Sequence, residues 1–293
     1  MNPLRLWALA ARPRTLPAAV APVLVGTALA VHDDELHWLR LVAAMVGSVF
    51  IQIGTNLAND YSDARRGADT EDRLGPVRVT AGGLMPPKRV LVGTYVAFGV
   101  AVAAGIYLAA VAGWQLLVVG ALSIAAGVLY TGGPRPYGYA GLGELFVFLF
   151  FGVVAVVGSY YVQTEELPWE AFALSVPVGL LAAAILVVNN VRDVDTDRRA
   201  GKRTLAVKLG RGGARRLFAA MLVLAFAVPL AVAAAGGLSW CLAFTALAWP
   251  LAVPLVRTVF TRTDGGALNG ALAASGGLLA VFSLLLSAGV LLS

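Results

Sequence analysis

Charge is scarce in this sequence. Of its 293 residues, 13% are Asp, Glu, Lys or Arg, about half the 25% typical of a soluble domain. A soluble globular protein is therefore not expected. Cysteine occurs once, at Cys241, so no intrachain disulfide can form and a disulfide scaffold is excluded. RNA- and DNA-binding motifs are missing, so the net charge of +6 needs an explanation other than nucleic acid. What fills the chain instead is apolar: 59% hydrophobic residues and a mean hydropathy of +0.81.

Nine apolar runs are long enough to be membrane spans: about 15–31, 39–60, 88–110, 114–131, 144–162, 169–190, 215–235, 239–256 and 267–291. None shows the period-2 alternation of a barrel strand, and only helices or closed barrels span lipid. Pro17, Pro22, Pro177, Pro229 and Pro254 fall inside runs, where membrane helices tolerate them. The expected fold is all-α: a polytopic membrane protein of nine helices, forming one domain over 1–293. The first run follows Arg5, Arg12 and Arg14 and ends in Ala28-Leu29-Ala30, like a signal peptide. Its two prolines favour a retained first helix, with a short interfacial helix over 3–11 before it.

Lysine and arginine fix the orientation. In a nine-span arrangement 21 of the 22 fall on one side, and Arg40 alone on the other. With the acids included, the two faces carry +11 and −5. The basic face is expected to be cytoplasmic, with the N-terminus inside, the C-terminus outside, and the protein in the cell (inner) membrane. Trp38, Trp114, Trp169 and Trp240 open the even-numbered helices at the other face, as an interfacial belt does. The loops are too short for a soluble domain. Two of those on the basic side are long, about 61–87 and 191–214, and function must lie in the helices or in these loops.

Both long loops begin alike. Helix 2 ends with Asn56, Asn59, Asp60 and Asp63. Helix 6 ends with Asn189, Asp193 and Asp197. The pattern Asn-x-x-x-Asp occurs in both, with another Asp three or four residues on, a spacing that puts these groups on one helical face. Each then runs into a basic, glycine-bearing stretch: Arg73 to Gly83, including Arg78, and Gly201 to Thr204, including Lys202 and Arg203. The four-helix interval suggests a pseudo-repeat of the segments near 39–63 and 169–197. Carboxylate and amide oxygens are ligands of Mg²⁺, which keeps waters and bridges to substrate phosphates. Lys and Arg would neutralise the remaining phosphate charge. A diphosphate held at the membrane boundary below an apolar interior points to a polyprenyl diphosphate. An ion-coupled transporter is the rival class, but it needs acids near the bilayer midplane. Glu144, at a helix start, comes nearest to that position.

The sequence resembles the UbiA superfamily of intramembrane aromatic prenyltransferases, and within it the 1,4-dihydroxy-2-naphthoate polyprenyltransferase branch of menaquinone synthesis. The resemblance is carried by ARPRTLPAAVAPVLVGTALA (11–30), NLANDYSDARRGADTEDRLGPVRVTAGGL (56–84), YTGGPRPYGYAGLGELFVFLFFG (130–152) and NNVRDVDTDRRAGKRTLAVKLG (189–210). The first superfamily motif, Asn-Asp-x-x-Asp-x-x-x-Asp, is matched by Asn59, Asp60 and Asp63. Its last Asp falls on Gly67, with Asp69 two residues on. The second, Asp-x-x-x-Asp, is Asp193 and Asp197.

This resemblance implies nine helices around a central cavity, capped by the two long cytoplasmic loops. It implies Mg²⁺ on Asp60, Asp63, Asp193 and Asp197, with Asn56, Asn59 and Asn189 supporting them, and Arg78, Lys202 and Arg203 on the diphosphate. The reaction implied is attack of an electron-rich ring on an allylic cation, with loss of CO₂ and diphosphate. The partners are a polyprenyl diphosphate, an aromatic acid and the lipid bilayer. Other acceptors, such as 4-hydroxybenzoate, occur on the same scaffold. Tyr130, Tyr61 and phenylalanines of helix 5 are candidates for stabilising the cation. Arg135 stands alone in the 132–139 loop and is a candidate for the aromatic carboxylate or the diphosphate. Arg12 and Arg14 read as topology charges, His32 and His37 as solvated, and Cys241 as packing.

Overall fold

The computed structural model describes residues 2–67 and 74–293; Asp69 and Arg73 lie outside the described residues. No strand occurs among the described residues. The helices are α1 (Pro3–Ala11), α2 (Pro17–His32), α3 (Trp38–Arg65), α4 (Pro87–Ala112), α5 (Gln115–Leu129), α6 (Gly143–Thr164), α7 (Trp169–Arg199), α8 (Leu205–Ala234), α9 (Trp240–Thr261) and α10 (Gly265–Leu291). Among the described residues, seven helices are long and apolar enough to cross a membrane. An eighth span arises if Pro3–Thr15 and Pro17–His32, bent by 53°, count as one. The 15 residues of α5 are apolar but short, about 22 Å of helix against a hydrocarbon core near 30 Å. The protein is an all-α polytopic membrane protein.

Helix starts follow local chemistry. Proline occupies the first turn of α1, α2 and α4, where its missing N–H costs nothing. Asp264 caps α10 by accepting from Ala267 N–H at 2.8 Å. That bond and Arg262 at 2.8 Å hold the Asp264 carboxyl below its usual range. Two helices overrun the expected loops. α3 continues to Arg65 before Gly67 turns at φ 63°, and α7 to Arg199 before Gly201 turns at φ 73°. Nothing in 191–199 breaks a helix, so the polar run expected as a loop is helical. The 28 and 31 residues of α3 and α7 span about 42 and 46 Å, so each carries its Asp motif past a core of about 30 Å.

Around the core, α3 lies along α4, α7 along α8, and α10 against both α2 and α7. α7 is buried along most of its length and forms the centre, with Leu174, Val178, Leu181 and Val188 in the main apolar cluster. Within α6, Phe148–Val154 is wound as a π-helix. There Gly152 crosses Gly179 of α7 so closely that a Cβ on Gly152 would stand 2.6 Å from Gly179 Cα and 2.9 Å from Ser175 O. Both neighbours are backbone and cannot rotate away. Gly152→Ala is expected to destabilise the protein by about 1–3 kcal/mol, the cost of overpacking. Thermal unfolding in detergent measures it, and an unchanged midpoint would show that the crossing can spread.

Candidate active site

A cavity of about 630 Å³ opens where α3 and α7 end, and runs between α3, α4, α5 and α6 into the apolar interior. At its mouth stand Asn56, Asn59, Asp60 and Asp63 from α3 and Asn189, Asn190, Asp193 and Asp197 from α7. Helical phase explains the selection. Asp193 and Asp197, four residues apart, line the cavity. Asp195, half a turn out of phase, is exposed and pairs with Arg211 at 2.9 Å.

The two motifs are held differently. Asp60, 1% exposed, accepts from the backbone N–H of Val79 (3.1 Å) and Thr80 (3.0 Å). It therefore anchors the segment that follows helix α3. Asp63, 3% exposed, accepts from the Tyr139 hydroxyl and has Arg78 at 3.6 Å. Asn59 Oδ1 accepts from the Thr131 hydroxyl at 2.9 Å. Asn56 points the other way: its Nδ2 donates to Ala11 C=O (2.9 Å) and Thr15 Oγ1 (3.1 Å) and pins the bend between α1 and α2. In the second motif both oxygens of Asp193 accept from Arg192, at 2.8 and 2.5 Å. Asn189 accepts from the same guanidinium at 2.8 Å. Asp197 has Lys202 Nζ at 3.8 Å, and that ammonium lies 4.8 Å from the centre of the Tyr139 ring.

Behind the carboxylates an aromatic row leads into the apolar part. Tyr130 meets Tyr137 edge-on at 5.5 Å, Tyr137 stacks on Phe146 at 4.1 Å, and Phe146 faces Phe150 at 6.1 Å. The Tyr137 hydroxyl donates to Ala126 C=O at 2.8 Å, and burial pushes its pKa up, so it remains a donor at any ordinary pH. All four rings line the cavity.

Several expected residues lie elsewhere. Arg135 is exposed at its loop and does not line the cavity. Two prolines hold the loop, but they hold this side chain outward. Arg203 is also exposed; its contribution is a backbone N–H donated to Tyr139 C=O at 2.8 Å. Tyr61 packs with Val79 and Met85 under α1 rather than in the cavity. Conversely, Arg12 and Arg14 line the mouth. The α1–α2 bend brings them there, with Arg12 in the left-handed region at φ 54° and its Nη2 donating to Asn56 C=O at 3.3 Å. Arg192, Asn190, Asn269 and Tyr139 were not singled out by sequence. Asn190 Nδ2 donates to the buried Glu144 at 2.8 Å. Given these positions, Arg135→Ala is expected to leave the kinetics of both substrates within about twofold, the range of an ordinary surface substitution. A rise of about tenfold in either KM, some 1.4 kcal/mol, would put Arg135 back in the site.

The donor set suits Mg²⁺ of the bridging kind. Buried carboxylates face one cavity, yet among the described residues no three Asp, Glu, His or Cys side chains cluster closely enough to cage a metal. Mg²⁺ bound by one or two carboxylates, with water and phosphate completing its shell, needs no such cage.

Comparison with known proteins agrees with this geometry. The UbiA prenyltransferase family model matches residues 19–273. A 1,4-dihydroxy-2-naphthoate octaprenyltransferase of Mycobacterium tuberculosis is 45% identical over 239 residues, covering 80% of each chain. Its namesakes from Escherichia coli and Bacillus subtilis are 42% and 36% identical, covering 74% and 86% of this chain and 72% and 81% of their own. Among solved structures, the apo form of a UbiA homolog from Aeropyrum pernix K1 superposes with a TM-score of 0.70 at 17% identity, covering 94% of this chain and 97% of that one. A UbiA homolog from Archaeoglobus fulgidus bound to GPP and Mg²⁺ gives 0.63 at 15% identity, covering 96% and 99%. These likenesses show a shared fold. With two Asp-bearing helix ends over one greasy cavity, and a family match across most of its length, this chain belongs to the UbiA prenyltransferase family.

Proposed function

We propose that this protein transfers a polyprenyl group from polyprenyl diphosphate to 1,4-dihydroxy-2-naphthoate, releasing CO₂ and diphosphate. One observation carries the reading: a single cavity joins a mouth of carboxylates and cations to an aromatic and aliphatic interior. That is the shape of a ligand with a charged head and a hydrocarbon tail. The acceptor follows from the relatives, which bear that activity in their names at 36–45% identity.

Asp63, Asp193 and Asp197 are the residues to hold Mg²⁺, with Asp60 ordering the adjoining segment. Bound there, Mg²⁺ supplies charge neutralisation for the leaving diphosphate. Arg78 and Lys202 stand beside those carboxylates and receive phosphate oxygens, with Arg12 and Arg14 at the rim. The allylic C–O bond breaks, its electron pair leaves with diphosphate, and the ring carbon bearing the carboxylate attacks the cation. CO₂ then departs and its bonding pair restores the aromatic ring. Tyr130, Tyr137 and Phe146 line the apolar path and are the rings to steady the cation, and the apolar lining disfavours water that would quench it.

The membrane arrangement belongs to the same proposal. The bent α1–α2 pair and the short α5 each cross, giving nine spans in a single domain. The Asp motifs and the N-terminal segment face the cytoplasm, where the Lys and Arg surplus lies. The segments 74–85 and 200–204 cap the cavity.

The test is incubation of the purified protein in detergent with Mg²⁺, labelled polyprenyl diphosphates, and either dihydroxynaphthoate or 4-hydroxybenzoate. A prenylated, decarboxylated naphthalene product is expected. Product only from 4-hydroxybenzoate would reassign the acceptor. No product, together with gradient-dependent uptake in vesicles, would favour the transporter.

A further inference from the structure

Arg192 has no part in the scheme above, yet its guanidinium is 1% exposed and bonded on every nitrogen. A buried cation must be paired. Here Nε and Nη2 fork onto Asp193, Nη2 also reaches Asn189, and Nη1 donates to Asn269 Oδ1 at 2.6 Å. Asn269 sits on α10, 77 residues further along the chain. It uses its other end too: Nδ2 donates to Leu74 C=O at 2.9 Å, 195 residues away in sequence. The start of α10 is fitted to that spot, since a Cβ on Gly265 would meet Leu74 Cβ and O at 3.1 Å.

Leu74 belongs to the segment 74–80, a strap that is fixed a second time further along. Val79 and Thr80 donate to Asp60, and Arg78 lies 3.6 Å from Asp63. Between these ties, Pro76, Val77 and Arg78 form part of the cavity wall. The strap is thus fastened at one end to the first Asp motif and at the other, through Asn269 and Arg192, to the second.

We infer that Asn269 and Arg192 are positioning residues, which set the plane of the Asp193 carboxylate and tether the 74–80 strap so that Arg78 and both Asp motifs meet one diphosphate. A carboxylate offers about four acceptor positions. The fork occupies one edge of Asp193, which leaves acceptor positions for a ligand in the cavity. An apolar side chain at 269 would fill the space but would orient neither neighbour. Asn269 does both because an amide is a donor at one end and an acceptor at the other. This inference rests on the cavity being a diphosphate site.

Two variants separate the two bonds. Asn269→Asp keeps an acceptor for Arg192 and removes the donor to Leu74; Asn269→Ala removes both. Amide hydrogen exchange at 77–80, measured without substrate, reports the tether. Steady-state kinetics report its use. Both variants are expected to speed exchange about tenfold and to raise the KM for polyprenyl diphosphate about tenfold, the scale of one charge-assisted or backbone hydrogen bond. The acceptor KM should stay within about twofold, the range of a substitution that does not touch its site. Asn269→Ala should also lower kcat, since Arg192 loses a partner. Unchanged exchange in folded Asn269→Asp would overturn the tether. Faster exchange with an unchanged diphosphate KM, or with both KM values rising alike, would overturn the link to diphosphate. Exchange needs no substrate, so the tether is tested even if the wild-type protein turns over none of the diphosphates, a result that would count against the proposed function instead.

Discussion

Excess EDTA is expected to stop product formation, and added Mg²⁺ to restore it. Charge at the cavity decides this. Among the described residues, Arg12, Arg14, Arg78, Arg192 and Lys202 line it together with Asp60, Asp63, Asp193 and Asp197. Five cations against four carboxylates leave a single positive charge, far less than a diphosphate requires. The neutral Arg192–Asp193 pair leaves that balance unchanged. A divalent cation shared between the carboxylates and phosphate would supply the difference. Loss of even one electrostatic stabiliser lowers kcat by about 10²–10³, so removal of the metal should exceed that. Undiminished turnover under chelation would sink the proposed chemistry.

Asp193→Ala is the second large effect, and it should appear in two measurements. Turnover should fall by about 10²–10³ if the carboxylate serves the diphosphate. Stability should also fall, by about 3–5 kcal/mol, because Arg192 would be left buried without its carboxylate. A carboxylate at an ordinary solvated helix end would be cheap to remove, but here the buried Arg192 fork makes the substitution costly. Asp193→Asn provides the control, since it retains an acceptor for Arg192 while removing the charge. A variant with unchanged kcat and a lower unfolding midpoint would make Asp193 a structural partner of Arg192 only.

The sequence was most legible where periodicity or spacing acts locally. The apolar runs became helices, and the i, i+4 spacing of Asp193 and Asp197 brought both to the cavity. Spacing could not separate Asp60, which grips two backbone amides, from Asp63, which faces Arg78 and Tyr139. Those partners arrive from segments that only the folded chain brings near. Arg135 shows the same limit from the other direction. Its isolation in a proline-bound loop looked purposeful, yet rigidity says nothing about which way a side chain is held. Arg12 and Arg14, near the start and resembling topology charges, reach the mouth because Asn56 and Gln52 bond the bend around Thr15. Asn269 had no local signal at all: it lies in a small-residue helix far from both motifs.

The π-wound turn of α6 has a consequence for evolution of the chain length. Such a turn is an α-helix that has accommodated an extra residue. Deleting a single residue between Phe148 and Val154 would let this segment relax to ordinary winding with the helix on either side keeping nearly the same phase, because the wider turn already absorbs the extra residue. Ala155, Gly158, Ser159 and Val162 would then still face the cavity, while the wide turn that carries Gly152 against Gly179 would be lost. A deletion elsewhere in α6, where no wide turn absorbs it, would instead turn everything beyond it by about 100°, so related sequences should vary in residue count inside Phe148–Val154 more readily than in the rest of α6.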